Sequence, residues 1–303
     1  MVLDDRSSRH SRAPGERPPG KQRVTAVLSG ALVLVLVVCV GLVAKDYISK
    51  NWSRPTSVPL RAGAAPAKPF APPSSWKVSF DSTFKGSSLD TQVWATCYVW
   101  AASGCTNYGN SGDPEQEWYL ASQDQVTGGA LHLVAQREPT PGLTQQGGPK
   151  EYACRSGMVT TYPSFHFQYG YVQLTAAIPL GKGLWPAFWL AAANQKWPPE
   201  VDILEHWGTT TPGKVYLHPV TGPRQGGPVS MPGLGSGYHT FGLYWTKTSL
   251  AWYYDGTQVF STTTGIPQQE MYLIANLADD NAGPGACSGT LLIKSVKVWQ
   301  PPS

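Results

Sequence analysis

From residue 76 onward, apolar and polar positions alternate in short runs, and Gly, Pro, Asn and Asp separate one run from the next. WKVSF (76–80), ALHLVAQ (130–136), GYVQLTAAI (170–178), AFWLA (187–191), VDILEHW (201–207), KVYLHP (214–219), HTFGLYW (239–245), LAWYYDG (250–256), QVFSTT (258–263), MYLIANLA (271–278) and LLIKSVKVW (291–299) all read as strands. Successive side chains point to opposite faces of a strand, so each run can turn one face to a core. No stretch carries a convincing amphipathic helix, and no internal repeat is visible. The pattern predicts an all-β domain, a jelly-roll β-sandwich of two packed sheets with one face left for a ligand. Within it, Tyr254-Asp255-Gly256-Thr257 predicts a hairpin turn from its Asp-Gly pair.

The pattern is different upstream. Residues 1–23 hold six Lys/Arg and three acids among Pro and Gly, a solvated basic tail. Residues 24–44, VTAVLSGALVLVLVVCVGLVA, contain no charge. At ~1.5 Å per residue that run can span a hydrocarbon core of ~30 Å, and its basic flank predicts an uncleaved transmembrane signal anchor with the N-terminus inside. A cleaved signal peptide is the alternative, disfavoured by the length of the apolar run and a poor small-x-small site at Leu42-Val43-Ala44. Residues 45–75 carry Pro55, Pro59, Pro66, Pro69, Pro72 and Pro73 among Ala, Ser and Gly, the composition of an extended linker. The domain is then 76–303, held outside the cytoplasm at the cell membrane or, if cleavage occurs, secreted.

Composition sharpens the division. The whole chain has a formal charge of +4, but residues 76–303 hold 12 Lys/Arg against 15 Asp/Glu, a formal −3. The basic excess belongs to the tail and linker, which removes a nucleic-acid-binding reading of the domain. Of five cysteines, Cys39 lies in the apolar run and Cys97, Cys105, Cys154 and Cys287 lie in the domain. An even set outside the cytoplasm predicts two disulfides. Three pairings are possible; Cys97 with Cys105 and Cys154 with Cys287 is the favoured one. Zinc is the alternative, without C-x-x-C spacing or paired His to support it.

In a chain sparing with acids, PPEVDILEHWG (198–208) holds three. On a regular strand Glu200 and Asp202 share a face while Glu205 points to the other, and a helix would set Glu205 about 140° round from Glu200. A β-bulge near Ile203-Leu204 restores the parity and lets all three converge. Convergent carboxylates repel one another and are costly to bury, so such a row needs a reason. Glycoside hydrolysis with retention supplies one: it needs two carboxyl groups about 5 to 5.5 Å apart, one a nucleophile and one an acid on the leaving oxygen. A middle acid can hydrogen-bond the nucleophile and help keep its neighbour protonated. The plainer readings are a solvated acidic face or a calcium site, but calcium prefers a loop with Gly and Asn/Asp, and the spacers here are Val, Ile and Leu.

The stretch resembles the E-x-D-x-x-E signature of glycoside hydrolase family 16, in the bulged form of laminarinase-like β-1,3-glucanases. Gly183 to Leu190 resembles the family's G-x-W-P-A-F-W-L strand, and Ser156 to Thr161 and Tyr169 to Val172 resemble two others. Tyr238 to Phe241, Trp252 to Gly256 and Met271 to Ala278 follow in the family's order. The resemblance implies a concanavalin A-like jelly roll with a cleft across its concave sheet, and a retaining, endo-acting glycosidase working on a polysaccharide. It implies Glu200 as nucleophile, Asp202 as orienting acid and Glu205 as general acid/base. Trp185 and Trp189 become sugar platforms, since pyranose rings stack on indoles, with core packing the alternative for either. His218 and Asn276 match positions that contact sugar. Glu117, in EQEWYL, matches the N-E-x-Q-Y-Y segment only loosely. His206 and Trp207 shape the rim, or His206 is buried and hydrogen-bonded. Lys294 stands where many members carry an Asp that helps bind calcium, so a structural calcium is less expected than the resemblance would imply, and no other cofactor or metal is expected. A β-1,3-glucan or mixed β-glucan is the expected substrate and a monomer the expected state. An envelope-glycan transglycosylase or β-galactan hydrolase on the same residues, and a non-catalytic lectin-like module, are the alternatives.

Overall fold

The computed structural model describes residues 70–100, 115–144, 147–208, 213–280 and 286–302. The expected tail (1–23) and anchor (24–44) and nearly all of the linker lie outside them. Among the described residues no helix is long and apolar enough to cross a membrane.

In chain order the strands are β1 (Lys77–Ser82), β2 (Glu117–Tyr119), β3 (Asp124–Thr127), β4 (Ala130–Gln136), β5 (Thr140–Leu143), β6 (Pro149–Tyr152), β7 (Cys154–Ser156), β8 (Met158–Thr160) and β9 (Gly170–Ala177). They continue as β10 (Leu184–Ala192), β11 (Glu200–Glu205), β12 (Gly213–His218), β13 (Gln225–Val229), β14 (His239–Trp245), β15 (Leu250–Tyr254), β16 (Thr257–Thr262), β17 (Met271–Asp279) and β18 (Ser288–Gln300). Among the described residues the only helix is the single turn Ala121–Gln123. The all-β expectation therefore holds, and each run predicted from alternation lies on a strand.

Two large sheets form. One runs β16-β15-β14-β9-β18-β4-β7-β2, with β1 on β18 and β3 on β4. The other runs β13-β12-β11-β10-β17-β8. Val172 and Leu174 of β9, Phe241 and Leu243 of β14 and Val296 and Val298 of β18 join Phe188 and Leu190 of β10, Leu273 and Ala275 of β17 and Leu217 of β12 in one buried cluster. Each buried Val, Leu or Phe side chain of this cluster contributes roughly 1.5–3 kcal/mol, which makes this sandwich core the main source of stability. Alternation places the odd-numbered residues of β10, Trp185, Ala187, Trp189 and Ala191, on the opposite face of the six-stranded sheet. A second, smaller cluster covers part of that face: Tyr98, Tyr119, Met158, Ala187, Trp189, Tyr272 and Ile274.

The Asp-Gly hairpin is as predicted. Asp255 and Gly256 have φ of 47° and 74°, both left-handed as a type I′ turn requires, and they join β15 to β16. Cys154 and Cys287 form the expected disulfide, with Cα atoms 6.1 Å apart. Cys97 is also disulfide-bonded, while Cys105, its expected partner, lies outside the described residues. Phe70, assigned to the linker by composition, stacks on Tyr253 with ring centroids 4.4 Å apart and donates its N–H to Gly256 O. The edge strand β13, QGGPV, carries no alternation and was not foreseen; Pro228 is tolerated there because one side of an edge strand needs no ladder donor.

Candidate active site

The site begins with a break in strand β11. Against β10, Ala187, Phe188 and Trp189 pair with Glu205, Leu204 and Asp202, so Ile203 is the extra residue. Against β12 the register shifts between the same two acids, from Asp202 opposite Tyr216 to Glu205 opposite Lys214. This is the bulge that the odd spacing demands, and it returns Glu205 to the face of Glu200 and Asp202. Trp252, on the opposite sheet, donates Nε1–H to the carbonyl of Asp202 at 2.8 Å. That bond crosses the sandwich and satisfies a buried acceptor beside the bulge, where an unpaired carbonyl would cost about 1–3 kcal/mol.

Each acid meets polar partners from neighbouring elements. Glu205 Oε1 accepts from Trp185 Nε1 at 3.0 Å. Glu200 Oε2 accepts from Trp197 Nε1 at 3.2 Å. His218, opposite Glu200 on β12, sets Nε2 3.4 Å from both Glu200 Oε1 and Asp202 Oδ2. Although they point away from the sandwich core, Asp202 and Glu205 are only 4% and 8% exposed, so the row lies in a recess. Burial pushes the Glu205 carboxyl well above the usual carboxylate range, and the charges of Asp202 and Glu200 push it further; the Trp185 bond and Lys214 oppose this. Burial also raises Asp202, against the pull of His218 and Arg224. The arrangement sets a carboxyl whose protonated form is favoured apart from another that accepts from Trp197 and has His218 Nε2 within 3.4 Å, which is the division that acid-assisted nucleophilic substitution needs.

Glu200, Asp202 and His218 bring ligand atoms within 4.8 Å of one another, a donor set that could take up a cation. His218 is itself within ion-pair reach of both acids. Lys294, at the position linked by resemblance to calcium, is exposed on β18 with its ammonium 5.6 Å from the ring centre of Tyr238.

Of the remaining sequence candidates, His218 lies at the acids and Trp185 lies beside Glu205, half-buried and tilted against Trp207 with ring centres 4.6 Å apart. Three others lie deeper than expected. Trp189 is covered by Tyr98 and Trp100, at 6.3 and 6.2 Å between ring centres, and is nearly buried, so little indole remains to stack a sugar. Its Nε1–H goes to Asn276 Oδ1 at 2.8 Å, and Asn276 Nδ2 donates to the Tyr119 hydroxyl at 3.1 Å, so both polar ends of this buried Asn are engaged. Glu117 is corrected most: it is fully buried rather than on the cleft surface. Its Oε2 accepts from the Asp279 N–H at 2.8 Å, and Asp279 Oδ2 accepts from Cys287 N at 2.6 Å. His206 is fully buried and Trp207 is half-buried at the rim.

Sequence reasoning missed four neighbours. Trp197 is 68% exposed directly before the acidic stretch, and an indole beside Pro-Pro-Glu was the available signal. Tyr216 and Lys214 could have been found by counting alternate positions back from His218 along β12. Arg224 precedes the unforeseen β13 and left no signal.

The family model for glycosyl hydrolases family 16 matches residues 114–286. Endo-1,3-1,4-beta-glycanase EglC of Rhizobium meliloti is 33% identical over 220 residues, covering 67% of this chain and 46% of its own. Glucan endo-1,3-beta-glucosidase A1 of Niallia circulans is 28% identical, covering 72% of this chain and 37% of its own. The chain thus spans less than half the length of either relative. The laminarinase structure from Flavobacterium sp. UMI-01 superposes with a TM-score of 0.59 at 26% identity, covering 74% of this chain and 100% of that one.

Proposed function

As a chain that belongs to glycosyl hydrolases family 16, this protein is, we propose, a retaining endo-β-glucanase that cleaves internal bonds of a β-1,3- or mixed-linked glucan. The observation that carries the reading is the bulge at Ile203, which puts Glu200, Asp202 and Glu205 on one face of β11. The activities for which the relatives are named, a 1,3-1,4-β-glycanase and an endo-1,3-β-glucosidase, support the substrate class.

In this reading Glu200 attacks the anomeric carbon while Glu205, kept protonated by its burial and its acidic neighbours, gives its proton to the departing oxygen. The product is a glycosyl ester on Glu200. Glu205, now a carboxylate, then takes a proton from water as that water attacks the ester, and the second inversion restores the starting configuration. His218 and Trp197 hold the nucleophile's two oxygens in place through their contacts at 3.4 and 3.2 Å. Asp202 shares His218 and adds the negative field that discourages Glu205 from ionising. The disulfide between Cys154 and Cys287 supports a domain that works outside the cytoplasm.

The test is hydrolysis of laminarin and lichenan, with agarose and galactan alongside, by the full chain. Early release of mixed-length oligosaccharides with retained anomeric configuration is expected on the β-glucans. Full activity in Glu200→Gln would sink the assignment.

A further inference from the structure

The two neighbours of β11 present different chemistry to the same recess. On the β10 side the side chains at the level of the acids are Ala191, Trp189 and Ala187; on the β12 side they are His218, Tyr216 and Lys214. Lys214 stands opposite Glu205, and its ammonium lies 3.8 Å above the ring of Trp207. Arg224, exposed at the entry to β13, lies with its guanidinium 4.3 Å above the ring of Tyr216, the residue opposite Asp202. Ring faces hold both cations in place on this flank, with more order than a free surface lysine has. Among the described residues neither forms an ion pair with a carboxylate within 4.0 Å. Burial lowers the Lys214 ammonium from its ordinary range, as does the charge of Arg224, while Glu205 and Asp280 oppose this; Asp202 in turn feels Arg224.

A neutral glucan can accept hydrogen bonds from these two groups but offers them no charge, whereas an anionic substituent would meet both donors and charge. Lys214 lies opposite Glu205, the group that meets the leaving oxygen, and Arg224 lies over Tyr216, opposite Asp202, so the two border the acidic row along its β12 side. We propose that the β12–β13 flank binds an anionic substituent, a carboxylate or a sulfate, and that the preferred substrate is an acidic β-glycan. The proposal rests on the hydrolase reading and narrows its substrate class. An exposed charge contact of this kind contributes modestly to affinity, acts on encounter as well as on binding, and weakens with salt.

The test takes one β-1,3-glucan in three forms, neutral, lightly carboxymethylated and lightly sulfated, with wild-type full chain and the Lys214→Met/Arg224→Gln double variant. The quantity read is kcat/KM on each anionic form divided by that on the neutral form. At low salt the ratio is expected to be about fivefold higher in the wild type than in the variant. At about 1 M salt, where the screening length is about 3 Å, the difference is expected to close. Whichever derivative shows the advantage identifies the substituent; equal ratios in both proteins overturn the proposal. Affinity electrophoresis repeats the comparison without turnover, using Glu200→Gln with and without the two flank substitutions. Stronger retardation by the anionic glucans only when Lys214 and Arg224 are present supports the proposal, and equal retardation overturns it. Cleavage of the neutral glucan with no anionic preference leaves the hydrolase reading standing, whereas Glu200→Gln turning over like wild type defeats that reading separately.

Discussion

On one side of β11 the recess is floored by side chains that are buried and interlocked; on the other it is edged by charges that water can reach. Trp189, Asn276 and Tyr119 bond to one another in sequence on the β10–β17 side, beneath Tyr98 and Trp100. Lys214 and Arg224 lie over aromatic rings on the β12–β13 side. Position in the sheet accounts for the contrast. β10 and β17 are interior strands whose outer face is covered by residues near Tyr98, so every polar atom there must find a protein partner. β13 is the edge strand of the sheet among the described residues, so Arg224 at its entry is exposed and Lys214 only partly buried. Substitutions on the first flank should therefore act on folding, and those on the second on substrate choice.

The largest effect is expected on the strand that divides the two flanks. Glu205→Gln should lower kcat about 10²- to 10⁴-fold on glucans with sugar leaving groups, with the fold intact by circular dichroism. The pH–rate profile sharpens the point: because Glu205 must be protonated and its carboxyl is raised, activity should persist above the ordinary carboxylate range and fall as pH rises through its folded pKa. Urea denaturation provides the next contrast. Trp189→Ala removes a buried indole and strands the Asn276 amide oxygen, for an expected loss of about 3–5 kcal/mol, whereas Arg224→Gln on the exposed flank should change stability by less than about 0.5 kcal/mol. A loss at Arg224 as large as at Trp189 would break the comparison.

A smaller, pH-dependent effect is expected deeper on the buried side. Burial raises the Glu117 carboxyl from 4.5 to about 7. Below about pH 4.5 both folded and unfolded chains hold its proton and its contribution is fully present; between there and about pH 7 the unfolded chain releases the proton first, so stability is lost as pH rises. The loss amounts to about 3 kcal/mol at most. Asp124, Asp202 and Glu205 are raised as well and add the same sign. The informative quantity is the difference in unfolding free energy between wild type and Glu117→Gln, which should shift in favour of the variant between pH 5 and pH 7.5. An unchanging difference would mean that Glu117 ionises freely in the folded protein.

Much of the architecture was legible from alternation alone. The runs at 130–136 and 271–278, for example, lie on β4 and β17, and the Asp-Gly pair forms its hairpin. Short strands such as β2, β7 and β8 were less visible, because three residues carry too little periodicity to read. The acids were legible for a stronger reason: an odd offset between Glu200 and Glu205 is incompatible with a shared face unless the strand is kinked.

Residue order by itself determined the strand faces, the turn at Asp255-Gly256, the acidic row and the need for an extra residue near Ile203. Those are local consequences of a two-residue period, which neighbouring positions are enough to define. Tertiary structure alone decided that Trp252 from the other sheet would receive the carbonyl beside the bulge, and that Glu117 would be sealed against Asp279 rather than facing a sugar. It also decided that Arg224, distant in sequence from the acids, would stand beside them. Burial and partner choice depend on which distant strands pair and what covers them, and alternation within one strand holds no record of that.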